Sequence, residues 1–282
     1  ILLADNHALL HGRRAFEEGA ARKIHRINLM APPSRGRVVD FILDNLFIRR
    51  VEYFVAEIPI VAVPLFVELR DASFFSTTVF WEVVAIFFLL FNFGDMTNCL
   101  ADRDLDRVYK PHLSRAVHRL GVSNVRAQIA GTATVALAIT AHLSVHLKNW
   151  LLVPLVAVGL GLGAAYSVPP ARLKGRGVLQ VLCLWLIIFV GPMMFTAAVV
   201  TGVPSLLVVA LAGAYATTQM GVILFNTAED YPEDREAAVR TTIVVLGLHS
   251  GIRLAVRMTT IGGLITLGTL TAAYVARAWV IV

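Results

Sequence analysis

Residues 76–107 read STTVFWEVVAIFFLLFNFGDMTNCLADRDLDR, an apolar run that passes directly into a cluster of acids. The apolar part, 76–97, has about the 20 residues that an α-helix needs to cross a bilayer. Runs of the same kind occur at 51–69, 127–146, 149–166, 178–200, 204–225 and 255–276. None of these runs alternates apolar and polar residues as a transmembrane β-strand does. The sequence therefore predicts an all-α, polytopic membrane protein with seven visible spans.

Composition and charge distribution support this class and indicate an orientation. Of the 282 residues, 57% are hydrophobic and 16% are charged, with a mean hydropathy of +0.72, whereas a soluble domain has about 25% charged residues. Of the 25 Lys and Arg residues, 21 precede the first run or lie in the even-numbered loops. The positive-inside rule predicts that these parts are cytoplasmic. The distribution suits membrane lipid or phosphate-bearing ligands and argues against a nucleic-acid partner.

The chain divides into two predicted parts. Residues 1–50 are polar and form a cytoplasmic N-terminal segment, in which apolar residues at helical spacing between 38 and 47 indicate an interfacial helix or a plain cytosolic tail. Residues 51–282 form the transmembrane domain. Because the chain begins at Ile1 and stops within an apolar run, we expect a portion of a longer protein with further C-terminal spans. Arg outnumbers Lys by 21 to 4, which is typical of a GC-rich bacterial genome and predicts a bacterial cytoplasmic membrane.

The most informative feature is an internal repeat of polar residues after the second and sixth spans. Each copy reads N-x3-D-x3-D-R, and the copies lie 128 residues apart. We call them the first ladder (Asn98, Asp102 and Asp106) and the second ladder (Asn226, Asp230 and Asp234). Residues four apart share one face of a helix, so each ladder is predicted to present a row of oxygen atoms where its helix leaves the bilayer.

The chemistry of the two ladders suits a hard cation. Carboxylate and amide oxygens are the ligands that Mg²⁺ prefers, and Mg²⁺ is commonly held by one or two carboxylates together with substrate phosphates. We therefore predict that all six ladder residues are Mg²⁺ ligands around a diphosphate. The alternative interpretation is that each ladder is simply a solvated helix end. Tyr231-Pro232 interrupts the second ladder and predicts a bend before Asp234.

Basic residues near the ladders are candidates for binding the diphosphate. After the fourth span the chain reads AYSVPPARLKGRG over residues 165–177, where the prolines end the helix and the glycines allow a tight return. This segment is predicted to place Tyr166, Arg172 and Lys174 on the side of the membrane where the two ladders lie. Lys110 and Arg115 follow the first ladder. Arg and Lys are natural partners of phosphate oxygens.

The two ladders and the AYSVPPARLKGRG segment between them together resemble the motifs of the UbiA superfamily of intramembrane prenyltransferases, over roughly residues 50–276. The resemblance implies a helical bundle of nine spans, with a central cavity that opens sideways to lipid beneath two Asp-rich regions. It implies Mg²⁺-dependent transfer of a prenyl chain from its diphosphate to an aromatic or other lipophilic acceptor. The residues expected to be catalytic are Asp102, Asp106, Asp230, Asp234, Tyr166 and Lys174. Cys99 stands where the family usually has Asp, and Ala238 stands where it usually has Gly.

One acid lies within a predicted span. Glu57 is near the middle of the first apolar run, where an ionisable group is expensive and indicates function. We expect it to orient the acceptor or to remove its proton. The alternative is a structural acid paired with a neighbouring helix.

Three functions compete. Prenyl transfer leads, and a UbiA-type membrane terpene cyclase, in which the same ionisation is followed by ring closure, is the alternative. An ion-coupled transporter is disfavoured, because transporter sites lie near the bilayer midplane and these acids lie at helix ends. The acceptor, the prenyl chain length and the oligomeric state stay open.

Overall fold

Every apolar run of the sequence forms a helix in the computed structural model, which describes residues 36–69 and 71–280. Within this part of the chain all regular elements are helical, which confirms the all-α prediction. The elements are α1 (Arg37–Ile48), α2 (Phe54–Glu68), α3 (Thr78–Asp102), α4 (Asp106–Tyr109), α5 (Pro111–Leu120), α6 (Val122–Leu147), α7 (Leu152–Ser167), α8 (Val178–Thr201), α9 (Leu206–Glu229), α10 (Tyr231–Glu236), α11 (Thr242–Leu246) and α12 (Leu248–Val280). Short 3₁₀ turns cover Val51–Tyr53, Ala72–Ser76 and Leu173–Gly175.

Five helices are long and apolar enough to cross a membrane, so the predicted number of seven spans is not confirmed. They are Thr78–Asp102, Val122–Leu147, Val178–Thr201, Leu206–Glu229 and Leu248–Ala272. The remaining two apolar runs form α2 and α7, with 15 and 16 residues. At 1.5 Å per residue they rise about 23 Å, less than the roughly 30 Å of hydrocarbon in a bilayer. A 3₁₀ turn takes up the start of the first of these runs, and residues 149–151 at the start of the second lie outside the helix.

The described core is built around α3. Its buried residues Val83, Ile86 and Phe87 pack in one hydrophobic cluster with α7, α8 and α9, and α3 also contacts α6. The helix begins at a defined cap, because the Thr77 Oγ1 accepts a hydrogen bond from the Phe80 amide at 3.3 Å. Its far end carries Asn98 and Asp102, the first two residues of the first ladder.

Helices α9 and α12 approach closely through two glycines. A Cβ atom on Gly221 would lie 2.1 Å from the Thr259 Oγ1, and one on Gly262 would lie 2.5 Å from the Thr218 amide nitrogen. Small residues allow such backbone approach between helices in a membrane. This packing fixes α9, which carries Asn226 of the second ladder, against the C-terminal helix.

A π-helical segment, Trp185–Val190, interrupts α8. A π turn contains one residue more than an α turn, and such segments are frequent at functional sites. Here Leu186, Ile187, Ile188 and Val190 all line one cavity. The widened turn therefore shapes the wall of a chamber inside the bundle.

A helix forms where the interfacial helix was predicted. In α1, Val38, Phe41 and Ile42 are exposed, whereas Asp44 is buried. Arg119 of α5 pairs with the Asp44 carboxylate at 3.2 Å and so holds the polar face of α1. Its placement in a membrane interface stays a prediction, as does the division of the chain at residue 50. Residues 1–35 lie outside the described residues.

Candidate active site

The first ladder lies against the loop that follows α7. The Asn98 Oδ1 accepts hydrogen bonds from the Ser167 Oγ at 3.0 Å and from the Lys174 Nζ at 3.3 Å. Lys174 also forms a short ion pair with Asp102, and the Arg172 guanidinium lies 3.5 Å from the same carboxylate. The structure therefore brings together the first ladder and two of the predicted diphosphate-binding residues.

The loop conformation explains how Lys174 reaches the ladder. Arg172 adopts a left-handed backbone conformation with φ 36°, and Leu173–Gly175 forms a single 3₁₀ turn. The loop ends at Gly177, which has φ 58° and whose amide donates to the Arg240 carbonyl at 2.9 Å. A Cβ there would lie 3.3 Å from the Val245 side chain, so glycine suits both the conformation and the approach. Lys174 is 8% exposed.

The charges at the ladder are partly desolvated. Burial lowers the pKa of Lys174, while the Asp102 carboxylate opposes that shift. Burial raises the pKa of Asp106 to about 6, with a further contribution from the negative charge of Asp102. Groups in this condition interact strongly with an added charge, because water screens them less.

Neither ladder lies on one unbroken helix, although the spacing of four residues predicts a row on a single helix face. Helix α3 ends at Asp102, and Asp106 begins α4 after a turn whose backbone stays close to helical at Arg103 and Leu105. In the second ladder α9 ends at Glu229, Asp230 lies between two helices, and Asp234 lies on α10. The bend predicted from Tyr231-Pro232 is present.

Lys110 connects the two ladders. Its Nζ lies 3.3 Å from the Asp230 Oδ2, although the two residues are 120 positions apart. The Tyr109 hydroxyl lies 3.4 Å from the Glu236 Oε2 and links α4 to α10 as well. The ends of α3 and α9 therefore meet on one side of the bundle, which we call the rim.

Other predicted residues are less closely involved. Arg115 is exposed, and its Nε donates to the Pro111 carbonyl of its own helix at 3.1 Å rather than to a ladder. Asn226 is exposed. Asp234 is half-buried, and burial raises its pKa to about 6, which a hydrogen bond from Thr241 opposes. Ser167, which contacts Asn98, is not among the predicted site residues, although it directly follows Tyr166 in the AYSVPPARLKGRG segment.

Oxygen atoms dominate the donor set at the rim. The described residues contain no group of three or more His, Cys, Asp or Glu side chains arranged to hold a metal by themselves. Such a cluster is not required for Mg²⁺, since one or two carboxylates with substrate phosphates and water complete its coordination. The carboxylates of Asp102 and Asp106, or those of Asp230 and Asp234, are ligands of the kind and number that Mg²⁺ needs from a protein.

Apolar cavities lie beneath the rim. One, of about 370 Å³, is enclosed by α3, α7 and α8 and is lined by both Asn98 and Tyr166. A larger one, of about 620 Å³, lies between α2 and α3 and is lined by Glu57. Phe87 and Phe91 line both. The charged rim thus borders an apolar cavity of about 370 Å³.

Known proteins are similar to this chain in sequence and in fold. Homogentisate phytyltransferase from Synechocystis sp. is 28% identical over 164 residues, which are 55% of this chain and 51% of that protein. The match thus spans about half the length of that curated relative.

Solved structures of a UbiA homolog from Archaeoglobus fulgidus share the fold. The form bound to DMAPP and Mg²⁺ has a TM-score of 0.60 at 18% identity, and the form bound to GPP and Mg²⁺ has a TM-score of 0.62 at 17% identity. Each alignment covers 83% of this chain and 87% of the other. The sequence model of the UbiA prenyltransferase family matches residues 58–282 of this chain. The chain therefore belongs to the UbiA prenyltransferase family.

Proposed function

We propose that this chain catalyses Mg²⁺-dependent transfer of a prenyl group from its diphosphate to a lipophilic acceptor within the membrane. The observation that carries the proposal is the position of Asn98. Its side chain lines the apolar cavity of about 370 Å³, and the same side chain hydrogen-bonds the rim cation Lys174. A ligand with an anionic head and a hydrocarbon tail fits both surroundings.

The rim residues bind the anionic head of the donor. Lys174, Arg172 and Lys110 supply cationic donors for diphosphate oxygens. The six ladder residues would hold Mg²⁺, which when bound neutralises the diphosphate and makes it a better leaving group. The relatives solved with DMAPP or GPP and Mg²⁺ support this assignment. Arg115 contributes positive charge to the neighbourhood without touching the head.

The apolar cavity protects the reactive chain. When the bond between the prenyl carbon and the diphosphate oxygen breaks, the electron pair leaves with the diphosphate. The Tyr166 ring lines the cavity and stabilises the allylic cation through its electron-rich face. The acceptor then supplies the electron pair of the new bond and loses a proton. Walls of Phe and Leu side chains exclude water, which would otherwise capture the cation.

Glu57 is assigned to the acceptor. It lines the cavity of about 620 Å³ on the opposite side of Phe87 and Phe91 from Tyr166. From there its carboxylate orients the acceptor or receives the proton that the acceptor loses. The resemblance to a phytyltransferase that uses an aromatic acceptor supports this role. We also propose that the N-terminus and the rim face the cytoplasm, so that the donor's head reaches the rim from water while its tail lies in the apolar cavity.

The test is product analysis with the purified chain. Labelled prenyl diphosphates of several lengths are incubated with membrane extract and Mg²⁺, and the products are identified by mass spectrometry. We expect prenylated lipid products whose formation stops with chelator and resumes with added Mg²⁺. Formation of a cyclised hydrocarbon from the donor alone would show that the activity is terpene cyclisation and not prenyl transfer. A donor that is not consumed under any condition would overturn both functions.

A further inference from the structure

A buried polar joint connects the start of α8 to the start of α11. The Thr242 amide donates to the Gln180 Oε1 at 2.8 Å, and the Thr242 Oγ1 lies 3.0 Å from the same oxygen. The Thr242 hydroxyl also donates to the Gly177 carbonyl at 2.7 Å. Gln180 is 6% exposed and Thr242 is 1% exposed. Because the joint is shielded from water and contains several hydrogen bonds, it holds the Gln180 side chain in one orientation.

The joint decides which end of the Gln180 amide points away from Thr242. A backbone N–H can only donate, so the amide oxygen of Gln180 faces Thr242 and the amide nitrogen faces the other way. The Tyr166 hydroxyl is a second hydrogen-bond partner of the Gln180 side chain. The Gln180 Nε2 therefore donates to the Tyr166 Oη. The far end of the tyrosine ring is thus tethered through Gln180 to α11.

Tyr166 needs such a tether, because open volume lies on one side of it. The residue is half-buried and lines the cavity of about 370 Å³ that is assigned to the prenyl chain. Close packing normally holds a side chain in one rotamer, and a cavity removes those contacts on the side that it borders. The negative charges of Asp102 and Asp234, one from each ladder, act on the Tyr166 hydroxyl. The ring therefore lies where the rim meets the cavity.

The bond that breaks in prenyl transfer lies at the same place. Its oxygen belongs to the head at the rim, and its carbon belongs to the chain in the cavity. We propose that Gln180 is a positioning residue for this step, which holds the Tyr166 ring beside the breaking carbon–oxygen bond. This inference rests on the proposed prenyl transfer. Gln180 does not line the cavity, so it acts through Tyr166 and should affect the transition state more than donor binding.

A double-mutant cycle between Gln180 and Tyr166 tests the proposal. The kcat and KM are measured on the full chain with Mg²⁺, membrane extract and the labelled prenyl diphosphate that gives the most product with the wild-type chain. We expect Gln180→Met to lower kcat about tenfold and to change the KM for the donor less than about twofold. In a Tyr166→Phe background, where no hydroxyl remains to be held, Gln180→Met should have no further effect.

The cycle separates positioning of Tyr166 from bracing of the loops. Gln180→Met also removes the hydrogen bonds with Thr242, and damage from that loss would appear equally in both backgrounds. An equal fall in kcat in both backgrounds, or no fall in the wild-type background, overturns the proposal. Where Gln180→Met fails to fold, Tyr166→Phe decides alone. It keeps the ring and the joint, we expect the same loss of kcat, and an unchanged kcat overturns the proposal.

A second tyrosine–glutamine pair supplies the matched control. The Gln219 side chain hydrogen-bonds Tyr215 within α9, and neither residue lines the cavity. Gln219→Met should leave kcat unchanged, and a loss as large as that of Gln180→Met would contradict a specific role of Gln180. A wild-type chain that consumes none of the labelled donors removes the proposed function and this inference together. An active wild-type chain with an unaffected Gln180→Met variant removes this inference alone.

Discussion

At the scale of single residues, the burial of Lys174 sets the properties of the rim. An ammonium that is 8% exposed loses much of its hydration, and Asp102 with Asn98 replaces that loss. Removing one member of such a pair leaves the other charge buried and uncompensated, at a cost of about 3–5 kcal/mol. Substitutions at Asp102 thus change stability as well as chemistry, and a variant that keeps the shape of the side chain is needed.

Asp102→Asn is the informative change in the first ladder. It keeps the hydrogen-bonding shape but removes the charge that pairs with Lys174 and would hold Mg²⁺. We expect prenyl transfer to fall about 100-fold or more, measured as product formed at saturating donor. Asp104→Asn is the control, because Asp104 is on the same turn with its side chain 78% exposed. Equal rates in both variants would remove the first ladder from the mechanism.

Ala238 offers a test of backbone strain. It has φ 54°, in the left-handed region where an L-residue with a Cβ atom is disfavoured by roughly 1 kcal/mol, and the family usually has Gly there. Ala238→Gly should therefore raise the melting temperature. Ala237→Gly should lower it, because the neighbouring Ala237 has φ −79° and gains nothing from glycine. A lower melting temperature for Ala238→Gly would show that the strain is absent.

At the scale of elements, α8 and the pair formed by α9 and α12 pack in different ways. Helix α8 widens through its π segment to line the cavity, whereas α9 and α12 exclude space by contact between glycine and backbone. The cavity wall tolerates changes of side-chain size, since it borders open volume. The α9–α12 contact does not, because the neighbouring atoms include backbone.

Gly221→Ala tests the close contact. The added Cβ would lie 2.5 Å from the Ala255 carbonyl oxygen, so the two helices must separate. We expect a loss of stability of about 1–3 kcal/mol, observed as a lower melting temperature in detergent. Gly213→Ala on the same helix is the control, because its Cβ would lie 3.7 Å from the Trp185 ring, an ordinary contact. Equal melting temperatures of the two variants would contradict the close packing.

At the scale of the whole molecule, the features that the sequence predicts correctly are those that depend on neighbouring residues. Features that depend on contacts between distant parts of the chain could not be predicted. The apolar runs predicted the helices, and the repeat predicted two acid clusters, because both patterns are local. The lengths of α2 and α7 depend on turns at their first residues, which the hydropathy of a run does not reveal. The pairing of Lys174 with Asp102 depends on packing between a loop and a helix that lie 72 positions apart in the sequence. The family resemblance is confirmed, whereas the roles of individual residues stay predictions.

The predicted orientation can be tested by thiol labelling. Cys99 and Cys183 are both buried, so new exposed cysteines report separately. Asp104→Cys lies at the rim, and Val203→Cys lies in the loop between α8 and α9 with 75% of the residue exposed. With a membrane-impermeant reagent on intact cells, we expect labelling of Val203→Cys and protection of Asp104→Cys, as the positive-inside rule requires. The reverse pattern would invert the topology.

The ion pairs at the rim also imply a thermodynamic coupling. Lys174 pairs with Asp102, and Lys110 pairs with Asp230, so each ammonium neutralises one ladder carboxylate. A cation that takes a carboxylate frees an ammonium for an anion, and an anion that takes the ammonium frees the carboxylate for a cation. Each ligand therefore removes part of the cost of binding the other. For the proposed donor and metal, reciprocity requires that Mg²⁺ tightens the binding of the prenyl diphosphate by the same factor as the diphosphate tightens the binding of Mg²⁺.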